Sequence, residues 1–455
     1  MSPDSQPNVL FVFSDQHRGM DVGYAGNPDV RTPNMDRLAA EGTSFPHTYA
    51  NTPLCCPSRA SLLTGQYPMS HTVIGNPLQL PTTVPSVGEA FNDAGYRTGY
   101  VGKWHLDGRP LDGFTPPGPR RQGFDDFWAA YNCSHDFFDA EYYRDDPEPI
   151  EFDGYAPAGY TDLALEFLEN TETPFCLYLS WAPPHAPYGE VPDEYRDLYD
   201  SDDIEVRPNV EPTSEFARER GFDDARETLA NYYAHITALD DQLGRLLDYL
   251  DESGLAEDTI VVYTSDHGDM LFSQGYMKKE VPWEESINVP FVVRWPDQIP
   301  AGAVEESVFS IVDMAPTMLS LAGVAPPTEM EGSDYAPVMR GEEGDVPDSV
   351  FLTLPVPNLQ AQDQGVPEWR GVRTERYTYV RLRDGTPWLL YDNEADPYQL
   401  ENLALRKEAR DIRENLDDRL QEWLDRRNDE FRSAAEHLRD LSRAEESNYP
   451  VDQDP

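Results

Sequence analysis

The chain has 455 residues and a formal net charge of −49, because 84 Asp and Glu face only 35 Lys and Arg. Hydrophobic residues make up 39% of a chain long enough for two or three domains, which is sufficient for a large core and excludes a wholly disordered protein. The negative charge excludes nucleic acid and anionic membranes as favoured partners, since both repel an acidic surface.

The first predicted strand is the apolar run 8–14, which ends directly before Asp15 and Gln16. Further strands are predicted over 95–102, 174–181, 259–264 and 288–295, and helices over 34–41, 57–64 and 224–254. This alternation of strands and helices predicts an α/β fold, with a mostly parallel sheet covered by helices on both faces.

The pattern changes after about residue 345. Antiparallel strands are predicted over 370–382 and 388–391, and one long charged helix over 403–441. We therefore predict a large domain over residues 1–345 and a smaller α+β unit over residues 346–455, with a loose tail from residue 445 onward.

The sequence shows no targeting or membrane segment. The first apolar run, 9–13, is short and follows no basic stretch, and no run reaches the ~20 apolar residues of a membrane span. The four cysteines, Cys55, Cys56, Cys133 and Cys176, are too few and too irregular for a disulfide framework. These features predict a cytoplasmic protein, with an unusual export route left open.

Lysine is scarce, with four lysines among the 35 basic residues, while Asp and Glu are spread along the whole chain. Surface carboxylates hold water and ions, and high salt screens their mutual repulsion. This composition predicts adaptation to high salt.

Polar clusters follow four of the predicted strands. They are Asp15 with Gln16, the segment 102–105, the segment 183–185, and Asp266 with His267. Because ligands of open α/β sheets bind at the carboxyl ends of the strands, these clusters predict a single site.

The most specific motif begins at Cys55, which precedes a helix predicted to start at Pro57 and to end before Gly65. The amino end of a helix favours an anion, and Arg59, one turn into the helix, adds a permanent positive charge. The alternative is a buried thiol pair in front of an ordinary helix.

These eleven residues, CCPSRASLLTG, match the pattern C-x-P-S-R-x-x-x-L-T-G, and on this motif the chain resembles the sulfatase family. The segments 7–16 and 32–42 also resemble the family's amino-terminal region, and the similarity extends with gaps to about residue 405. The resemblance implies an alkaline phosphatase-like fold, with a catalytic domain over 1–345 and a smaller C-terminal α+β subdomain. It further implies hydrolysis of a sulfate monoester by a nucleophile at Cys55, which a dedicated enzyme oxidises to Cα-formylglycine.

The resemblance also implies a set of site residues. Catalytic roles fall to Cys55, Arg59, Lys103, His105, His185 and Lys279, substrate contacts to Asn76, Lys103, His185 and Lys279, and metal ligation to Asp15, Gln16, Cys55, Asp266 and His267. Among these, His185 is a candidate for protonating the leaving oxygen.

The implied cofactor is one divalent metal ion. Oxygen ligands suit Ca²⁺ or Mg²⁺, whereas a histidine ligand such as His267 shifts the preference toward Mn²⁺. We expect Ca²⁺ first, with Mn²⁺ and Mg²⁺ left open. Asp15-Gln16 stands where many sulfatases have Asp-Asp, and Asp266-His267 stands where many have Asp-Asn. This arrangement resembles that of choline sulfatases and phosphonate monoester hydrolases. Hydrolysis of phosphonate monoesters or phosphodiesters is therefore the alternative.

The expected partners are a small-molecule or carbohydrate sulfate ester and the formylglycine-generating enzyme, with no nucleic acid or membrane partner and the oligomeric state left open. A non-catalytic acidic relative is the competing class, but such a copy would have lost some of the motif residues. The loops 107–153 and 190–223 are expected to select the alcohol part of the substrate. The remaining cysteines are interpreted as apolar fillers, and the remaining histidines, including His71 and His135, as structural or surface residues.

Overall fold

The structure, a computed structural model, describes residues 6–171, 174–211, 215–219, 221, 224–328 and 330–450. Its strands are β1 (Asn8–Asp15), β2 (Thr43–Ser44), β3 (Thr48–Tyr49), β4 (Arg97–Lys103), β5 (Phe127–Tyr131), β6 (Glu141–Tyr142), β7 (Ile150–Glu151), β8 (Phe175–Pro184), β9 (Thr259–Ser265), β10 (Phe291–Arg294), β11 (Ala303–Val304), β12 (Phe309–Ser310), β13 (Ser349–Leu354), β14 (Trp369–Thr374), β15 (Tyr377–Leu382) and β16 (Pro387–Asp392). Its helices are α1 (Pro33–Glu41), α2 (Cys55–Thr64), α3 (Pro68–His71), α4 (Val87–Asp93), α5 (Ala156–Glu169), α6 (Asp193–Arg196), α7 (Glu215–Glu219), α8 (Ala225–Ser253), α9 (Glu284–Ile287), α10 (Ile311–Ala322), α11 (Ala336–Met339), α12 (Leu359–Asp363), α13 (Arg410–Arg427) and α14 (Ala434–Asp440).

The main sheet has the strand order β11-β2-β10-β9-β1-β8-β4-β5. The five strands from β9 to β5 run parallel, and β10 is antiparallel to β9. Every residue of β1, β8 and β9 is buried, which explains why these strands are apolar on both faces in the sequence. The predicted mostly parallel α/β sheet is confirmed.

Helices cover both faces of this sheet. Leu10 and Val12 of β1 join a hydrophobic cluster with α1, α5 and the long helix α8, while Val9 and Phe11 join a second cluster with α2 and α10 on the opposite face. Helix α8 starts where the side chain of Asp224 accepts hydrogen bonds from the first N–H groups of the helix. The fold is therefore a three-layer sandwich.

The C-terminal part forms a second sheet of four antiparallel strands in the order β13-β14-β15-β16. Leu352 and Trp369 of this sheet share a hydrophobic cluster with Tyr49 and Trp283 of the larger part. Helix α13 packs against the sheet through Leu416 and neighbouring side chains. The smaller antiparallel subdomain is confirmed, whereas its boundary after residue 345 stays a prediction.

The single helix predicted over 403–441 is wrong, because the structure has the two helices α13 and α14. Helix α13 ends at Arg427, and Asn428, whose φ is 50°, caps it. The chain then turns inward so that Asp429 pairs with Arg370. Helix α14 starts with a capping box between Ser433 and Glu436. The S-x-x-E pattern of this box was visible in the sequence.

The tail predicted to be loose from residue 445 is wrong for residues 445–450. Tyr449 packs against the core cluster below the main sheet, and the side chain of Asn448 accepts a hydrogen bond from Arg109. Residues 451–455 lie outside the described residues.

Two observations relate to the predicted compartment. All four cysteines are buried free thiols, and Cys56 and Cys176 lie in the core as expected. Within the residues that the structure describes, none of the helices combines the length and the apolar composition that crossing a membrane requires.

The buried pair of Arg370 and Asp429 gives a test of how the C-terminal unit is held. Their side chains are 0% and 1% exposed, with Nε and Oδ2 2.5 Å apart. We expect Asp429→Ala to lower the free energy of unfolding by about 3–5 kcal/mol, because it leaves a buried guanidinium unpaired. Differential scanning calorimetry and urea unfolding measure the change.

The control is Glu414→Ala, which breaks the exposed pair of Glu414 with Arg410 on helix α13. This variant is expected to have the same melting temperature as the wild type, since exposed ion pairs contribute little to the free energy of unfolding. Equal melting temperatures for Asp429→Ala and Glu414→Ala would contradict the prediction.

Candidate active site

The four polar clusters predicted at strand ends meet in one place. Asp15 ends β1 and Lys103 ends β4, while His185 and Asp266 directly follow β8 and β9. These four strands are parallel neighbours, so their carboxyl ends lie along one edge of the sheet. The prediction that they build one site agrees with this geometry.

Helix α2 places Cys55 at this edge. The helix begins at Cys55 itself, two residues before the predicted start at Pro57. Proline is tolerated at the third position because the first N–H groups of a helix have no intrahelical acceptor, and the first such bond runs from Ser58 N–H to Leu54 O. The thiol of Cys55 is buried and lies 3.3 Å from Nε2 of His267.

Four side chains form a group suited to a metal ion. One ligand atom from each of Asp15, Cys55, Asp266 and His267 lies within 4.8 Å of the others, and all four residues are buried. The Nδ1 atom of His267 lies 3.0 Å from the carbonyl oxygen of Gly268, so this nitrogen carries the proton and Nε2 presents its lone pair to the group.

A second observation fits a cation at this position. The Oδ1 atom of Asp15 is buried without a hydrogen-bond partner in the described part of the chain, although it lies 3.6 Å from Nε2 of His267. A buried carboxylate oxygen with no donor costs free energy unless a cation satisfies it. The donor set of carboxylates and imidazole therefore fits one divalent cation.

Arg59 holds the two carboxylates together. Its guanidinium donates to Asp266 Oδ2 at 2.9 Å and to Asp15 Oδ2 at 3.3 Å, and also to Lys103 O and Ser180 Oγ, both at 2.8 Å. The side chain is 1% exposed and takes no part in lining the pocket described below. Its predicted catalytic role stays a prediction, while its contact with both aspartates was not foreseen.

Positive charge exceeds negative charge at the floor of the site. Lys103 Nζ lies 2.5 Å from Asp15 Oδ2. Burial would raise the pKa of Asp15, but the charges of Lys103 and other cations outweigh it and hold this pKa well below its ordinary value. Burial, followed by the charge of Asp15, raises the pKa of Asp266. Two carboxylates thus face Arg59, Lys103 and Lys279, an excess of cations that favours an anionic substrate.

Gln16 links this floor to a more remote acid. Its Oε1 atom accepts a hydrogen bond from Lys279 Nζ at 2.6 Å, and its Nε2 atom donates to Asp269 Oδ2 at 2.5 Å. Metal ligation by Gln16 stays a prediction. The role of Asp269 was missed, although it stands three residues after Asp266 in the motif SDHGD.

A pocket of about 440 Å³ opens above these residues. Its floor and walls contain five predicted site residues, Cys55, Asn76, His105, His185 and Lys279. Asn76 Oδ1 accepts a hydrogen bond from the backbone N–H of Cys56 at 2.9 Å, and the peptide unit beside Cys55 is thereby fixed to the pocket wall.

The pocket also contains residues outside the predicted site set, three of which lie in the loop 107–153 that was expected to select the alcohol part of the substrate. They are Leu111, Cys133, His135, Lys278, Asn358, Leu359, Gln360 and Asn448. The ring of His135 stacks on that of His185 with centroids 4.4 Å apart. The interpretation of His135 and Cys133 as a structural residue and an apolar filler stays a prediction. Within the described residues, the loop 190–223 contributes nothing to this lining. The C-terminal unit contributes four residues, which no sequence motif indicated.

Comparison with known proteins identifies the family. The sulfatase family model matches residues 7–324 of the chain. The chain belongs to the sulfatase family. A model described as the C-terminal part of N-sulphoglucosamine sulphohydrolase matches residues 273–426 of this sulfatase.

Individual relatives extend this result over almost the whole sulfatase chain. An ulvan-active sulfatase of Formosa agariphila is 38% identical over 454 residues, which cover 98% of this chain and 86% of the relative. A solved structure in complex with its substrate D-glucosamine-2-N,6-O-disulfate has a TM-score of 0.82 and 26% identity, covering 93% of this chain and 99% of that chain. The phosphonate monoester hydrolase of Agrobacterium radiobacter, at 24% identity and a TM-score of 0.77 over 93% of this chain and 96% of its own, shares the fold.

These matches confirm the alkaline phosphatase-like fold and the predicted activity class. The sulfatase is a sulfuric ester hydrolase.

The group of Asp15, Cys55, Asp266 and His267, called the acidic group below, predicts that a divalent cation stabilises the fold. We expect Ca²⁺, Mn²⁺ or Mg²⁺ at 100 times its dissociation constant to stabilise the fold by about 2.7 kcal/mol, because a ligand that binds only the folded state shifts the unfolding equilibrium. Asp266→Asn is expected to abolish this stabilisation. The melting temperature, recorded in chelator and in a series of each ion, measures the effect.

Asp313→Asn serves as the control, since Asp313 is buried in the capping box of helix α10 and lies outside the acidic group. It is expected to retain the full ion-dependent rise. An Asp266→Asn protein with an undiminished rise would place the cation elsewhere.

Proposed function

We propose that this sulfuric ester hydrolase cleaves a sulfate monoester of a carbohydrate with a nucleophile derived from Cys55. The observation that carries the proposal is the position of Cys55 at the floor of the pocket. Its sulfur faces His267 at 3.3 Å within the group that also contains Asp15 and Asp266. No other cysteine of the chain shares this group.

Two additions to the chain complete the proposed site. When Cys55 is converted to formylglycine by a maturation enzyme and a divalent ion is bound, the pair supplies a hydrated aldehyde as nucleophile and a Lewis acid. Asp15, Asp266 and His267 would hold the ion, with Gln16 as a further proposed ligand. We propose Ca²⁺ first because most of these donors are oxygen atoms, with Mn²⁺ and Mg²⁺ as alternatives.

The basic residues are proposed to bind the sulfate group. Lys279 borders the pocket directly, and Lys103 lies behind it, next to Asp15. Because both ammonium groups are buried, their attraction for an anion is weakly screened. His105 also borders the pocket, and we propose that it contacts the substrate or the nucleophile.

His185 is proposed to protonate the leaving alcohol. Its Nδ1 lies 2.6 Å from the carbonyl oxygen of Ala186 and donates there, so Nε2 is the atom available to the substrate. Burial, followed by the charges of Lys279 and His135, holds the pKa of His185 well below its ordinary value. A bound sulfate ester opposes this effect with its own negative charge, which favours the protonated imidazole when substrate is present.

The rim of the pocket supports a carbohydrate as the alcohol part. Side-chain amides of Asn76, Asn358, Gln360 and Asn448 line it, together with Leu111 and Leu359. Amides both donate and accept hydrogen bonds, as sugar hydroxyls require, and leucines match the apolar faces of a sugar ring. The relatives named above for ulvan and for a sulfated glucosamine agree with this substrate class.

Mass spectrometry and activity of a Cys55 variant test the proposal. We expect formylglycine at position 55 in protein made with the maturation enzyme, and we expect Cys55→Ala to lose at least about 1,000-fold in kcat on an aryl sulfate, because the covalent route is removed. Cys176→Ala, which changes a thiol in the core, is expected to retain activity.

Parallel assays with aryl phosphonate and phosphodiester substrates decide the alternative. The proposal expects a higher kcat/KM for the sulfate ester. An unmodified thiol with full sulfatase activity, or a clear preference for phosphonate, would count against it.

We also propose that the sulfatase works at high salt, and we keep the cytoplasm as its proposed compartment because its cysteines are free thiols. Raising KCl from about 0.1 M to about 1 M shortens the Debye length from about 10 Å to about 3 Å and screens the repulsion among the surface carboxylates. We expect both the melting temperature and the turnover of an aryl sulfate to rise. A melting temperature that falls or stays constant would contradict the salt adaptation.

A further inference from the structure

A chain of hydrogen bonds behind the pocket connects Lys279 to Asp269. Lys279 Nζ donates to Oε1 of Gln16 at 2.6 Å, and Nε2 of Gln16 donates to Oδ2 of Asp269 at 2.5 Å. The hydroxyl of Tyr188 donates to the same Asp269 oxygen at 2.5 Å. Gln16 and Asp269 are 0% exposed, and Tyr188 and Lys279 are almost fully buried.

The charged groups at the two ends of this series of hydrogen bonds, Lys279 and Asp269, fix the orientation of the Gln16 amide between them. A lysine ammonium only donates hydrogen bonds, and an ionised carboxylate only accepts them. If the amide of Gln16 turned by 180°, its NH₂ group would face the ammonium of Lys279 and its oxygen would face the carboxylate of Asp269. Both contacts would then be repulsive, so one orientation is strongly favoured.

The backbone around Gln16 and Asp269 is fixed as well. Gln16 has a φ of 74°, its N–H donates to Asp266 Oδ1 at 3.1 Å, and its carbonyl oxygen accepts a hydrogen bond from Tyr232 at 2.7 Å. The other oxygen of Asp269 accepts a hydrogen bond from the N–H of Leu271 at 3.1 Å. With both backbones held, the carboxylate of Asp269 determines where the amide oxygen of Gln16 points.

Asp269 itself stays away from the reacting groups. It is absent both from the acidic group and from the pocket lining, so it contacts neither the proposed nucleophile nor the substrate. Among the described residues, its carboxylate is hydrogen-bonded to the side chains of Gln16 and Tyr188, which connect it to the site.

We propose that Asp269, with Tyr188, is a positioning residue that directs the amide oxygen of Gln16 into the active site and thereby holds the ammonium of Lys279 against the sulfate. This inference rests on the proposed function, because it assigns Lys279 to the sulfate group. For sulfate binding measured in chelator, where metal ligation by Gln16 contributes nothing, it predicts that Asp269 acts through Lys279 and has little effect in its absence.

A double-mutant cycle between Asp269→Asn and Lys279→Ala tests this coupling. In Asp269→Asn one carboxylate oxygen becomes a donor, which favours the flipped amide of Gln16 with its NH₂ group toward Lys279. We expect this variant to lose about tenfold or more in kcat/KM for an aryl sulfate and in affinity for inorganic sulfate, measured by calorimetry. In the Lys279→Ala background the same substitution is expected to cost less than about twofold.

Two further variants separate positioning from general damage to the fold. Tyr188→Phe removes one donor to Asp269 and is expected to give a smaller loss of the same kind. Tyr160→Phe removes a buried hydroxyl that has no partner in the described structure, and it is expected to leave kcat/KM and sulfate affinity unchanged. Melting temperatures identify any variant that is destabilised.

Equal losses from Asp269→Asn in both backgrounds would overturn the proposal, since they would show a structural role independent of Lys279. An unchanged sulfate affinity in Asp269→Asn would overturn it as well. Absence of sulfatase activity in the wild type would instead reject the proposed function, and the calorimetric cycle with inorganic sulfate would still decide the coupling.

Discussion

The site depends on keeping two carboxylates side by side inside the protein. Asp15 and Asp266 extend from neighbouring parallel strands, and burial of both charges at the same place is unfavourable without compensation. Arg59 compensates by donating to one oxygen of each, and Lys103 adds a second positive charge to Asp15. The remaining oxygens are left to face the thiol of Cys55 and the lone pair of His267.

This constraint explains the local structure around it. Arg59 reaches the carboxylates because helix α2 begins at the sheet edge, and the same helix presents Cys55 from its first residue. The position of the proposed nucleophile and the pairing of the acids are therefore set by one helix. The positive side chains make the floor of the pocket attractive to an anion, but only at short range. Salt screens the large negative charge of the distant protein surface, so that charge does not cancel this attraction.

Much of this arrangement was predictable because it follows from strand ends and one local motif. Asp15, Lys103 and Asp266 stand at or just after the carboxyl ends of predicted parallel strands, which lie along one edge of a sheet. The contacts of Arg59 and the rim residues Asn358 and Asn448 were not predictable, since they depend on how distant segments pack. The break between α13 and α14 was missed because the inward turn of the chain depends on a tertiary ion pair that helical periodicity does not show.

The contact between Asn448 and Arg109 has a practical consequence for anyone producing the enzyme. Because Asn448 lines the pocket, a tag attached a few residues after it would start close to the mouth of the pocket. Asn8 begins β1 at the amino ends of the parallel strands, whereas the site lies at their carboxyl ends. A tag attached before β1 would therefore start farther from the pocket than one attached after Asn448.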